Sequence, residues 1–427
     1  MFKRALHNQP TASASAEDIA EIARQLFACA AEAGNSEHKR AHFIRLPEIV
    51  LAQAAAIAQG RYAPQPFTVF AVTDPKLREI FAPAFADRLV HQWLIRHLEP
   101  WWNKRLIDDS FANRKGKGTQ AAITRLQGFM RQPGHRWYCK LDVRAFFPSI
   151  DRQILLGMWR KALPKLPFAE ATLQQLDQVA TAIIRQSPIE PPPIRSGDLA
   201  LLRQIPPHKS LFHGKPGVGL PIGSLTSQFF ANVYLNELDQ FVKHHLKVRG
   251  YLRYVDDFIL LGDNPARLVG QRRQIEAFLR ERLRLELHPD KIVLQRCAQG
   301  VDFLGSVIHP GHRLIRRRTV RALRRRLNFF KSLLEPTAGP AAAESHGAWQ
   351  RWLADHQALT APGTPSLALL QRMLATINSY YGIFSHADTY RLRRHVYHHE
   401  LGPLNRFFLP ANKDYSHLRI RKHWLLK

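Results

Sequence analysis

Tyr254-Val255-Asp256-Asp257, set between Tyr251-Leu252-Arg253 and Phe258-Ile259-Leu260-Leu261-Gly262, is the stretch from which the rest of the chain can be read. Both flanks are apolar and rich in strand formers, so the pattern predicts a β-hairpin with two adjacent carboxylates at its tip. Adjacent like charges repel, and between buried strands they call for a counter-cation. Mg²⁺ prefers carboxylate oxygens. Two such ions, about 3.5–4 Å apart, clamp the attacking and leaving oxygens of a phosphoryl transfer. The same four residues also suit a plain Asp-Asp turn joining two strands, because short motifs match by chance.

Charge separates these readings only in part. Lys and Arg number 62 against 34 Asp and Glu, a net charge of +28 over 427 residues. That excess fits a polyanionic partner, nucleic acid first. The 45% apolar content supports a full core, and the length suits about two or three domains. A membrane partner is not expected, because no apolar run approaches the ~20 residues needed to span a bilayer. Met1-Phe2-Lys3-Arg4-Ala5 leads into polar residues and not into an apolar signal core. Cys29, Cys139 and Cys297 are scattered and odd in number, pointing to a reducing, cytoplasmic setting and away from zinc. The adjacent histidines His244-His245 and His398-His399 point apart on a helix, and read as surface or nucleic-acid contacts.

Along the chain, residues 15–60 read as helices, with Ile19, Ile22, Ala23 and Leu26 at helical spacing. Phe67–Val72 reads as a short strand among prolines, and residues 76–105 as helix. Tyr138–Val143 reads as a strand, residues 151–186 as helical, and 187–219 as a long proline-rich loop. Helices are expected over 222–247 and 267–287, on either side of the hairpin, and a short strand at Val301–Gly305. From Arg316 the chain changes character. Val320, Leu323, Leu327, Phe330 and Leu334 form an apolar stripe, while Arg316, Arg317, Arg318, Arg321, Arg324, Arg325 and Arg326 crowd the remaining surface. The Pro/Ala/Gly/Ser-rich stretch at 335–347 reads as a linker.

One hairpin cannot surround two ions, so a second strand must bring another carboxylate. Asp142 is the candidate, at the end of an apolar strand and followed by Phe146-Phe147-Pro148. An Asp at a strand end can equally cap the next helix, although Asp151 is the better cap here. Lys140-Leu141-Asp142-Val143-Arg144-Ala145-Phe146-Phe147 resembles motif A of reverse transcriptases, and Tyr254-Val255-Asp256-Asp257 resembles their motif C. Arg78–Arg88 and Ser110–Thr119 resemble the two fingers motifs, and Leu220–Gln228 resembles motif B. His288-Pro289-Asp290-Lys291 resembles motif D, and Phe303-Leu304-Gly305 resembles motif E. Seven blocks in order are far more specific than any one of them.

The resemblance implies an α+β fold: a right-hand polymerase with fingers and an antiparallel palm sheet, followed by an α-helical thumb. The expected boundaries are an N-terminal helical extension at 1–60, fingers at 61–137 and a palm at 138–310 containing the 187–219 loop. A basic helical thumb and C-terminal extension would fill 311–427. The implied activity is RNA-directed DNA synthesis from dNTPs with two Mg²⁺ ions, Mn²⁺ being a possible substitute. Asp142, Asp256, Asp257 and the Val143 carbonyl would hold the ions. Lys291 would donate a proton to pyrophosphate.

By the same resemblance Arg114 would grip the incoming triphosphate. Arg114, Lys115 and Lys117 equally fit a solvated basic loop. Gly223 would let the backbone approach a nucleotide, and Gln228 would lie against the nascent pair. Phe147, five positions after Asp142, would exclude a ribose 2′-hydroxyl by filling a dense pocket; it also fits a plain core residue. Lys115, Lys117, Arg316, Arg317, Arg321, Arg324 and Arg325 are the expected nucleic-acid contacts.

Motif B carries Ile222-Gly223 and Ser227-Gln228, an IGxxxSQ pattern similar to the reverse transcriptases of bacterial diversity-generating retroelements and to defence-associated relatives. Pro206–Phe212 and Ser379–Ala387 resemble the same group. It implies a dedicated template or noncoding RNA, a cDNA product and, for diversification, a small basic accessory protein. The chain is long for that group. A maturase-type RNA-binding protein and a template-independent or protein-primed synthase stay as alternatives.

Overall fold

The computed structural model describes residues 15–32, 42, 44–73, 76–334, 359–361 and 364–425. They fall into two compact units. One comprises the described residues up to Ala122 with Trp137–Leu294, the other Ile123–Arg136 with the described residues from Gln295 onward.

The first unit is built around a four-stranded sheet. Its strands are β3 (Trp137–Asp142), β5 (Gly250–Tyr254), β6 (Asp257–Gly262) and β7 (Val293–Arg296), in the order β5-β6-β3-β7. The expected hairpin is β5–β6, and β6 also pairs antiparallel with β3. Leu141, Leu252, Phe258, Ile259 and Leu260 are fully buried. The sheet is covered by helices, so these strands are apolar in continuous runs and not in alternation. Helices Phe85–Asn103, Arg152–Ala162, Glu170–Arg185, Leu225–Gln240 and Pro265–Leu283 share one apolar core with it. Each fully buried aliphatic or aromatic side chain contributes about 1.5–3 kcal/mol, which anchors the hairpin from below. The N-terminal helices Ala16–Glu32 and Leu46–Ala58 form where expected and bury Ile22, Leu26, Val50 and Ile57 on the same core.

Two local expectations are corrected. Arg78–Ala82 is not helix but strand β2, paired antiparallel with β1 (Thr68–Val72). The inward positions are Glu79 and Phe81, so the stretch carries period 2 with a charge on its buried face, which hides the strand pattern. The Glu79 carboxylate accepts hydrogen bonds from Ser210 Oγ at 2.8 Å and from the Leu211 amide. The 187–219 segment is also not a bare loop. Its β4 (Ile194–Arg195) adds to β1 in parallel, a short helix spans Leu199–Arg203, and Leu211 joins a small core with Phe67, Val69 and Phe81.

In the second unit an antiparallel meander is formed by β8 (Val301–Phe303), β9 (Ser306–Ile308) and β10 (Arg313–Ile315). Its first turn, Leu304-Gly305, takes positive φ at both positions, as a type I′ two-residue turn does. Phe303-Leu304-Gly305 therefore lies in this unit, although the motifs put the boundary near residue 310. The Arg317–Leu334 helix follows and buries Leu323, Leu327, Phe330 and Leu334 of the expected stripe, with Val320 half-buried. They pack on Leu369, Leu370, Met373, Ile377 and Tyr381 of the Leu367–Phe384 helix. A small antiparallel pair, Phe408–Pro410 with Leu418–Ile420, completes this core. The expected linker at 335–347 lies outside the described residues. Among the described residues no helix is long and apolar enough to cross a membrane. All three cysteines are free and buried.

Candidate active site

The register of the central sheet gathers the carboxylates. Asp257, the first residue of β6, pairs with Tyr254 on one side and with Asp142 on the other. Asp256 occupies the two-residue turn with Val255, whose φ is +57°. The Val143 amide donates to the Asp256 carbonyl at 3.2 Å, which ties the end of β3 to the turn. On the other flank of β3, the Arg144 amide donates to the Glu286 carbonyl (2.9 Å) and the His288 amide donates to the Asp142 carbonyl (2.8 Å). That pairing brings Lys291 to the site, with Nζ 2.6 Å from Asp142 Oδ1. Lys140 Nζ lies 3.1 Å from Asp257 Oδ2.

The electrostatics are those of crowded negative charge. Burial first, then the Asp142 and Asp257 carboxylates, together push the Asp256 carboxyl up to about 6 against the pull of Lys291. Burial likewise pushes Asp257 up to about 6, with Lys140 opposing and Asp142 adding. The Asp257 side chain stays 21% exposed, so the cleft is open on one side. Its Oδ1 is nevertheless buried without a hydrogen-bond partner. Among the described residues no three His, Cys, Asp or Glu side chains converge as a ready ion cage; two of the three carboxylates here are held by lysines. The donor set still fits a hard divalent cation: all oxygen, net negative, with one buried oxygen unsatisfied.

Other expected residues take more varied places. Phe147 is half-buried in the one-turn helix Phe146–Ser149, beside the Phe146 ring at 5.4 Å between centroids. Arg114 is tied into its own loop. Its Nε donates to Asn103 Oδ1, Nη1 to the Ile107 and Ser110 carbonyls, and Nη2 to the Asn103 carbonyl, so the guanidinium braces its own loop. Lys117 donates to the Asp108 carbonyl at 2.9 Å, and Lys115 is exposed. Gly223 lies against strand β2. Its φ is +118°, and a Cβ there would meet the Phe81 carbonyl oxygen at 2.8 Å. The close approach that demands glycine is to strand β2, where the Phe81 amide donates to the Ile222 carbonyl. Gln228 is half-buried in the first turn of the Leu225–Gln240 helix.

Of the expected arginines, Arg317, Arg321 and Arg325 are exposed. Arg316 instead pairs with Asp302, and Arg324 with Glu400 through two bonds of 2.8 and 2.9 Å, so both brace their own unit.

Two further groups were not legible in the sequence. His91 is buried under motif B, with Nδ1 3.1 Å from Ser224 Oγ and 3.4 Å from Thr226 Oγ1. Arg253, inside β5, is fully buried and donates Nε and Nη2 to the two oxygens of Asp239 at 2.8 and 2.6 Å.

Residues 73–308 match the family of reverse transcriptases (RNA-dependent DNA polymerases). The chain is 23% identical over 303 residues to protein YkfC of Escherichia coli K12, covering 62% of this chain and 70% of that protein. It is 21% identical over 346 residues to the group II intron-encoded protein LtrA of Lactococcus lactis subsp. cremoris, covering 66% of this chain and 53% of LtrA. It thus spans about half the length of that relative. Among solved structures, telomerase of Candida albicans in complex with a fragment of telomeric RNA aligns with TM-score 0.41 and 12% identity, covering 79% of this chain and 59% of that one. The corresponding Candida tropicalis telomerase aligns with TM-score 0.40 and 13% identity, covering 78% of this chain and 57% of that one. With the family matched over more than half its length, and with Asp142 and the Asp256-Asp257 turn brought side by side, the chain belongs to the reverse transcriptase family.

Proposed function

We propose that the protein is an RNA-directed DNA polymerase that copies a dedicated RNA into cDNA at Asp142, Asp256 and Asp257. The observation that carries this reading is the cross-strand pairing of Asp142 with Asp257 beside the Asp256 turn. Two Mg²⁺ ions, or Mn²⁺ in their place, would be held by these carboxylates and the Val143 carbonyl. When bound, they activate the primer 3′-hydroxyl and neutralise charge on the transferred phosphate.

The chain's own groups supply the rest. Lys291, paired with Asp142 in this structure, would face the leaving pyrophosphate as proton donor. Lys140 keeps Asp257 oriented. Lys115 and Lys117 attract the triphosphate, with Arg114 shaping the loop that carries them. The Phe147 ring fills the space that a ribose 2′-hydroxyl would need. Gln228 lies under the nascent pair. Arg317, Arg321 and Arg325 contact the phosphates of the template–primer duplex in a sequence-independent, salt-sensitive way.

Motif B, with Gly223 and Gln228, supports a role in retroelement diversification or in anti-phage defence. A template/variable repeat pair beside the coding sequence selects the first, and a structured noncoding RNA within a defence locus selects the second. The test of the chemistry is primer extension with three arms: primer on RNA template, primer alone, and RNA alone. Synthesis confined to the first arm supports RNA-directed copying. Product without template selects template-independent or protein-primed synthesis. No wild-type product in any arm selects a maturase-like RNA-binding role.

A further inference from the structure

Arg253 precedes the carboxylate turn and has no exposed surface. Its guanidinium makes contacts in four directions. Nε and Nη2 grip both Asp239 oxygens, and Nη1 donates to Asn232 Oδ1 at 3.1 Å. Nη1 also donates to the Val255 carbonyl at 2.9 Å, and Nη2 to Ser110 Oγ at 3.2 Å. Asp239 is completed by the Tyr251 hydroxyl at 2.7 Å, and Asn232 donates to the Ala112 carbonyl at 2.8 Å. Burial lowers the Arg253 pKa, but the Asp239 carboxylate outweighs it and the net shift is upward, so the guanidinium stays charged.

The backbone of the same residue is equally engaged. The Arg253 amide donates to the Asp109 carbonyl (2.8 Å), and the Phe111 amide donates to the Arg253 carbonyl (3.0 Å). The Gly118 amide in turn donates to the Phe111 carbonyl at 2.9 Å, closing the basic loop that holds Lys115 and Lys117. One residue thus joins three things: the 109–118 loop, the Leu225–Gln240 helix and the Val255-Asp256 turn.

A buried ion pair is weak evidence of added stability, since an apolar replacement often serves as well. Its retention needs another account. Val255 supplies one. Its left-handed φ is an outlier for a β-branched residue and persists only when the surroundings over-determine it. The bond from Arg253 Nη1 to the Val255 carbonyl fixes the plane of the peptide that leads into Asp256.

We propose that Arg253, held by Asp239 and Asn232, is a positioning residue that locks the Val255 turn and so sets the Asp256 carboxylate in register with the triphosphate loop. The inference rests on the polymerase reading, and its test is separable from it. Arg253→Lys keeps the charge opposite Asp239 but lacks the planar fork needed to reach Asp239, Asn232, Ser110 and Val255 together. The expected result is a fall in kcat of about tenfold or more, with dNTP KM and template–primer affinity within about twofold. The Mg²⁺-induced rise in Tm, read without substrate, should shrink in the same variant.

Glycine takes the left-handed conformation without strain, so adding Val255→Gly to R253K should recover at least about a third of the lost kcat if the lock is the function. A kcat within about twofold of wild type in folded R253K overturns the proposal. So does a loss that follows the folded fraction alone and is not relieved by V255G. If R253K does not fold, Ser110→Ala and Asn232→Ala each remove one contact, and unchanged kcat and Mg²⁺ response in both overturn it. A wild-type protein with no synthesis at all counts against the polymerase reading instead, while the Mg²⁺ shift still reports on Arg253.

Discussion

Asp142 and Asp257 face each other as cross-strand partners of β3 and β6. Directly opposed like charges destabilise a sheet, and here Asp256 adds a third carboxylate from the adjoining turn. Lys291 and Lys140 relieve part of the repulsion. The fold therefore holds an arrangement that costs stability, and cation binding is the use proposed for it.

Neutralising Asp256 should stabilise the protein in the absence of divalent ions. Its carboxyl is pushed up to about 6, so holding its charge at pH 7 costs more in the folded chain than in the unfolded one. Asp256→Asn should gain on the order of 1 kcal/mol after allowance for the open side of the cleft. Urea unfolding in EDTA reads this; a loss of stability would contradict the electrostatic picture.

Lys291 sits on Asp142 and is half-exposed. As proton donor to the leaving group it should matter to the chemical step more than to binding. Lys291→Gln is expected to lower kcat by about a hundredfold with little change in dNTP KM. Single-turnover quench-flow measures it, and an unchanged rate would assign the lysine to holding Asp142 alone.

Phe147→Ala should raise ribonucleotide incorporation relative to deoxyribonucleotide by about tenfold or more, the ring being replaced by open space. Competitive incorporation of dNTP and rNTP on one template gives the ratio. Unchanged discrimination would make Phe147 a core residue only.

His91 gives the pH prediction. Burial depresses it to about 3 from an ordinary 6.5. Below pH 6.5 the unfolded chain gains a proton that the folded one refuses, so stability is lost as pH falls from about 6.5 toward about 3. The full difference is on the order of 5 kcal/mol. Above 6.5 the group contributes no pH dependence. His91→Gln should flatten this part of the profile in chemical unfolding measured at pH 7, 6, 5 and 4. An unchanged slope would show that His91 is not a source of acid sensitivity.

The hairpin was legible because its signal is local: two apolar flanks around a polar pair, confirmed by ordered blocks elsewhere. The Arg317–Leu334 helix was legible for a similar reason, its stripe having period 3.6. What escaped depends on tertiary partners. Arg78–Ala82 reads as helix until Ser210 and Leu211 arrive to satisfy Glu79. Arg253 reads as an ordinary strand arginine, since nothing in sequence links it to Asp239, 14 positions earlier. Arg114 sits in the expected motif, but the carbonyls that claim it are invisible without coordinates. Gly223 was singled out for a close backbone approach, and its neighbour in the fold is strand β2, which a glycine in sequence does not name.

The central claim is that Asp142, Asp256 and Asp257 form a metal-dependent polymerising site. Its most direct test is extension of a labelled primer on an RNA template with Mg²⁺, comparing wild type with Asp256→Asn at matched folded concentration. The account predicts cDNA from the wild type, none without divalent ion, and a loss of about a hundredfold or more in the variant. Equal synthesis by the two proteins, or robust synthesis in EDTA, would contradict it.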